Sequence, residues 1–181
     1  GQEIIKVIVG SGDLCKTFVV HTTLLRKHAP VFFDRIMTNE TPDVIRLPNT
    51  EPEVFSLYVQ YMYTQKLPSK PDSVKPNRED HVHETNLLCK LFALVKFVHD
   101  DLAAKDAIDA VYAKAHERSL ETQPVLPGSI AVSNIYKATD GPCGARTLMV
   151  DLYVWRASGQ WIKDQRAGDV PYPTEFLSDL A

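Results

Sequence analysis

The residues best equipped for chemistry are two histidines separated by one residue, His81 and His83, a glycine pair, Gly10 and Gly12, a thiol and an imidazole, Cys15 and His21, and adjacent carboxylates, Asp100 and Asp101. A metal site needs three or four donors at matched spacing. No third ligand of suitable spacing accompanies His81-x-His83, which lies beside a proline-rich stretch and reads as a pair of surface-loop histidines. Gly10-x-Gly12 follows a strand-like run, but the third glycine and the long helix of a phosphate loop are missing. It reads as a hairpin turn. Cys15 and His21 could supply a nucleophile and its base, yet no third group orients the imidazole. Both read as structural, the thiol as the kind that is commonly buried. Neighbouring carboxylates on a helix point in different directions and do not share a proton, so Asp100 and Asp101 read as solvated. An active site would require His21, His99 or Asp100 to converge in one pocket. The expectation is no catalytic residue, no cofactor and no metal.

The elements that would position these groups follow from periodicity and turn chemistry. Ile4, Ile5, Val7, Ile8 and Val9 form a β-branched strand, Gly10 to Asp13 a turn, and Thr17 to Val20 a second strand. Leu24 and Leu25 belong to a short helix that stops at Ala29, because Pro30 disfavours helical geometry in the residue before it. Phe32, Phe33, Ile36 and Met37 keep helical spacing on the next helix, and Val44 to Leu47 make a third strand. Thr50-Glu51-Pro52-Glu53 fits a capping box, after which Phe55, Tyr58, Val59 and Met62 line one face of a helix. Residues 66–82, with Pro68, Pro71 and Pro76 among mixed charges, read as a surface loop. The spacing predicts one helix over about 84–102 and another over about 104–118. Beyond a hinge at 123–128, Ile130 to Tyr136 and Leu148 to Trp155 read as helices, and a last one begins near Thr174.

Length and composition bound the answer further. A chain of 181 residues holds one core, with room for an appended lobe. A net charge of −3 gives no reason to expect nucleic acid. Cys15, Cys89 and Cys143 are odd in number and scattered, which fits a reducing compartment, cytoplasmic or nuclear. No apolar run reaches membrane-spanning length, and no signal peptide is visible.

Taken in order, the pieces carry more than they do singly. Val7-x-Val9-Gly10 is followed by Phe18-x-Val20-His21, Leu24-Leu25 and Pro30-x-Phe32-Phe33. Ile45-x-Leu47-Pro48, Pro52-Glu53-x-Phe55 and Tyr61-x-Tyr63-Thr64 come next, ahead of Leu67. This series resembles the BTB (POZ) domain family, and the stretches around Leu87-Leu88 and Asp106 to Tyr112 look like the helices that follow there. The tail, through Ile135-Tyr136, Arg146-x-Leu148-x-Val150-Asp151, Trp155, Trp161 and Tyr172-Pro173-x-Glu175-Phe176, is similar to the C-terminal extension of BTB proteins from filamentous fungi.

The resemblance implies an α+β fold: a small three-stranded sheet flanked by helices over residues 1–119, with a helical C-terminal extension over 120–181 packed on that body. It implies a protein–protein interaction module that self-associates as a homodimer or recruits partners, and, as a narrower reading, a substrate adaptor for a cullin-type ubiquitin ligase. Phe33, Met37, Glu40, Tyr63, Trp155 and Trp161 are the candidate partner-binding residues. The departures from the family are informative. Ala29 stands where a serine cap is usual, so the helix at Pro30 must be held by the packing of Phe32 and Phe33. The apolar residue expected two positions before Glu40 is Thr38, with Met37 the nearest apolar side chain. The sequence starts almost directly at the first core strand, without the N-terminal segment that long-form relatives exchange across a dimer, whether by nature or by truncation. Trp155, Trp161, Tyr172 and Phe176 could anchor a partner, but are expected to cover the body as core.

Overall fold

A computed structural model describes residues 3–37, 44–67, 77–117, 125–156 and 170–181. Strand β1 (Ile4–Val9) is central in a three-stranded sheet of order β2-β1-β3. β2 (Lys16–His21) returns antiparallel to it, and β3 (Val44–Leu47) lies parallel on the other side. Alternation sends Ile5, Val7, Val9, Val20, Ile45 and Leu47 into the core. The connection after β1 needs Gly10: its φ is +90°, its N–H donates to the Leu47 carbonyl at 3.0 Å, and a Cβ there would meet the Leu14 carbonyl oxygen at 3.2 Å.

Two short helices cross from β2 to β3: α1 (Thr22–His28) and α2 (Pro30–Met37). They meet at Ala29, buried beside Phe32 and Phe33, so packing does hold the start of α2. Helix α3 (Pro52–Thr64) follows, then α4 (Arg78–Phe97) and α5 (Asp101–His116). From Glu84 to Val95, α4 is buried on most of its circumference, between α3, α5 and the next helix. Leu87, Leu88, Leu91, Phe92, Leu94 and Val95 supply the apolar surface that such a position requires. Helices α6 (Ser129–Lys137), α7 (Gly144–Arg156) and α8 (Thr174–Leu180) complete the described fold. Ala131, Ile135, Met149, Tyr153 and Phe176 join the same hydrophobic core as the sheet and α3–α5.

Four local readings of the sequence are corrected. The capping box at Thr50 is not formed: Glu51 is the N-cap and Pro52 takes the first helical position, where a missing N–H costs nothing. The box that does form is Asn77–Asp80, with reciprocal bonds of 3.0 and 2.9 Å. Helix α4 therefore begins at Arg78, so residues 78–82 are helical rather than loop, and His81 and His83 both lie on the helix. It ends at Phe97, not near 102, because His99 sits at φ +62°. The bonds from His99 N–H to Lys96 and from Asp100 N–H to Val95 close a Schellman motif there. Asp100 then caps α5 through the Ala103 N–H.

Candidate protein-interaction surfaces

Asp100 is the largest departure from the solvated pair expected at 100–101. It is 4% exposed, whereas the Asp101 side chain is 85% exposed. One oxygen of Asp100 accepts from Ala103 N–H at 3.0 Å. The other accepts from Tyr58 Oη at 3.0 Å and from His28 Nδ1 at 3.1 Å. The Gln65 amide nitrogen stands 2.9 Å from His28 Nε2, which places the imidazole proton on Nδ1. Burial, and the Asp100 carboxylate beside it, hold the Tyr58 proton well above the usual tyrosine range. This network ties α1, α3 and the start of α5 together. Its centre is buried, and its hydrogen bonds are made among its own members and to the Ala103 N–H.

The other chemistry-bearing residues stand apart. His21 Nδ1 is 2.6 Å from Tyr63 Oη on the surface, and His99 is exposed in its turn. His83 Nε2 meets Glu53 Oε1 at 2.9 Å across α3 and α4. Cys15 is exposed, contrary to the buried thiol expected, because it lies in the outward β1–β2 connection. Cys89 is fully buried, and that burial pushes its thiol up to about 12. Among the described residues no group of three or more His, Cys, Asp or Glu is arranged to hold a metal ion, and no helix is long and apolar enough to cross a membrane.

A second polar centre sits in the extension. Arg146, buried at the start of α7, donates to the carbonyl of Tyr136 (3.1 Å) in the last turn of α6 and to that of Thr139 (2.6 Å) just beyond it. It also donates to Thr139 Oγ1 at 2.8 Å and Glu175 Oε2 at 2.7 Å, and stacks over the Tyr136 ring at 4.4 Å. Tyr153 and Tyr172 share a hydrogen bond of 2.7 Å and pack around Phe176. Phe176 is fully buried in the core, and Tyr172 is half-buried against it. Trp155, expected as core, stands 82% exposed at the end of α7.

The remaining candidate binding residues are distributed unevenly. Phe33 is buried, with Arg26 over its ring at 5.1 Å, and offers little surface. Met37, at the end of α2, is partly buried against the core. Tyr63 is half-exposed near Ile4 and Val19, the exposed apolar residues of the β1–β2 pair, through its bond to His21 opposite Ile4. Glu40, Thr38 and Trp161 lie outside the described residues.

One surface had not been anticipated. Phe97 projects from the last turn of α4, 57% exposed, its ring edge-on to Phe32 at a centroid distance of 5.7 Å. It borders two cavities of about 340 and 440 Å³ that share Ala93, Phe97 and Asn134 and run between the β3–α3 turn, the α4–α5 turn and α6. The available signal was its position: Phe97 falls outside the Leu88, Leu91, Phe92, Val95 face of its own helix.

The BTB/POZ domain model matches residues 3–99, more than half of the chain, from β1 through the α4–α5 turn. The chain belongs to the BTB/POZ domain family. Domains of this family generally mediate protein–protein interaction and self-association. No curated protein matches the chain significantly.

Proposed function

We propose that this protein is an interaction module that self-associates or recruits partner proteins through its BTB body, with a C-terminal extension of the filamentous-fungal type packed against that body. The observation that carries this is the contrast between its polar and apolar groups. The buried histidine–carboxylate pair is closed internally, while Phe97, Tyr63 and Trp155 stand on the surface, where large side chains suit an interface. Light scattering over a concentration series, together with affinity capture by the full chain, tests it. A strict monomer that recovers no partner would overturn it.

The narrower reading is a cullin adaptor. Arg35, two residues before Met37 on α2, lines the same cavity as Phe97 and His99, so the end of α2 and the α4–α5 turn form one continuous face. Calorimetry against a purified cullin N-terminal domain decides it, and absence of heat at tens of micromolar removes the reading.

A further inference from the structure

We infer that the groove running past Phe97 docks an acidic peptide segment of a partner protein, with an apolar side chain of that segment seated on Phe97. This rests on the interaction-module reading and names the chemistry of its partner. The floor is apolar: Leu47, Val54 and Leu94 lie beneath, and Ala93 keeps the wall low beside the phenyl ring. Edge-on contact with Phe32 holds the Phe97 ring in place while more than half of it stays open. An exposed aromatic fixed by a neighbour is an anchor that loses little freedom on binding.

Charge chooses the occupant. The groove is lined by five cations, Arg35, Arg46, Lys90, Lys96 and Lys137, against two anions, Glu51 and Asp140. Lys90 is held by Glu51 at 2.6 and 2.8 Å, and Lys96 by Asp101 at 3.2 Å. Arg35, Arg46 and Lys137 pair with no carboxylate among the described residues. The groove is thus a positive strip on a chain whose net charge is −3. Such a strip attracts carboxylates over about 8–10 Å at physiological salt. The cavities are large enough for a few side chains.

A nucleic-acid strand fits less well. Single-strand binding uses successive aromatic platforms, and this groove offers one phenyl ring on a chain that is negative as a whole. The occupant is therefore a segment with Asp or Glu on both sides of a large apolar residue.

The test is a dodecapeptide array of randomised composition probed with the full chain, followed by anisotropy with the best labelled peptide. The expected hits carry acidic residues flanking Leu, Ile or an aromatic. Phe97→Ser weakens binding by about tenfold or more, as loss of an interface anchor does. The double charge reversal Arg46→Glu, Lys137→Glu abolishes it and steepens no thermal transition, since both residues are exposed. Hits without acidic character, no hits at all, unchanged affinity in both variants, or displacement of the peptide by oligothymidylate would each overturn the inference. Light scattering on the same proteins separates the two levels: a chain that self-associates but selects no acidic peptide sinks this proposal and leaves the module reading standing.

Discussion

Replacing Asp100 by alanine removes one side chain and strands two others and a backbone N–H. The Ala103 N–H loses its cap, for which about 1 kcal/mol is typical. Tyr58 Oη and His28 Nδ1–H, both buried, lose the acceptor that stands 3.0 and 3.1 Å away, and a buried donor left unsatisfied costs about 1–3 kcal/mol. Because all three bonds converge on one carboxylate, the losses do not simply add, and about 3–5 kcal/mol is expected. That is a large share of the about 5–15 kcal/mol that holds a domain folded. Asp101, one residue on and 85% exposed, is the internal control, and Asp101→Ala should stay within about 0.5 kcal/mol of the parent. Urea unfolding followed by circular dichroism measures both. Tyr58→Phe, which removes one of the donors, should cost about 1–2 kcal/mol, and combining it with Asp100→Ala should cost less than the two separately. If Asp100→Ala unfolds at the same urea concentration as Asp101→Ala, the network contributes nothing and the reasoning fails.

Three further outcomes follow from the same structure. His99 occupies the left-handed position that ends α4, so His99→Gly should stabilise by about 1 kcal/mol; a lower urea midpoint would contradict the Schellman assignment. Arg146→Ala should cost about 2–4 kcal/mol and should speed amide exchange in α6 and α8 before α3–α5, since it frees the Tyr136 and Thr139 carbonyls and Glu175. Uniform exchange across the chain would count against a staple confined to the extension. Tyr58, Tyr61, Tyr136 and Tyr153 are all held above the usual tyrosine range, chiefly by burial and then by the Asp100, Asp106, Asp179 and Tyr172 partners respectively. The unfolded chain therefore releases these protons first, and stability, intact below about pH 10, should fall as the pH rises beyond it. A urea midpoint equal at pH 9 and 11 would be the contrary result, with both values roughly bracketing the unfolded tyrosine range.

Local rules carried the sheet and most helices because their signals are short-range. The β-branched run at Ile4–Val9 declares a strand, and Ala29-Pro30 declares a helix junction, whatever lies elsewhere in the chain. The same rules failed where two local options competed. Thr50 and Glu53 satisfy the capping pattern, but Pro52 fits the first helical position and shifts the cap to Glu51. Asn77 is an equally good cap and was obscured by the prolines before it, which made the whole stretch look like loop. Asp100 shows a different kind of failure. Beside Asp101 it looks like a solvated pair, and only the arrival of His28 and Tyr58, 72 and 42 residues away, gives it reason to be buried.

The proposed binding groove is the extreme case of that second failure, and this bears on what kind of function a sequence can reveal. A catalytic set or a metal site demands particular residue types in tight geometry, and some of that demand shows as spacing. The groove at Phe97 demands little of any one position: a low wall at Ala93, an exposed ring, and cations contributed by α2, β3, α4 and α6. Each of these residues is unremarkable where it stands in the chain. Their meaning comes from α4, whose burial on several sides lets the body and the extension meet along it. The α6 side of the groove, with Asn134 and Lys137, lies beyond residues 3–99 that define the family. The proposed groove therefore takes most of its lining from the shared BTB body and one side from α6, so a segment docked there would contact both.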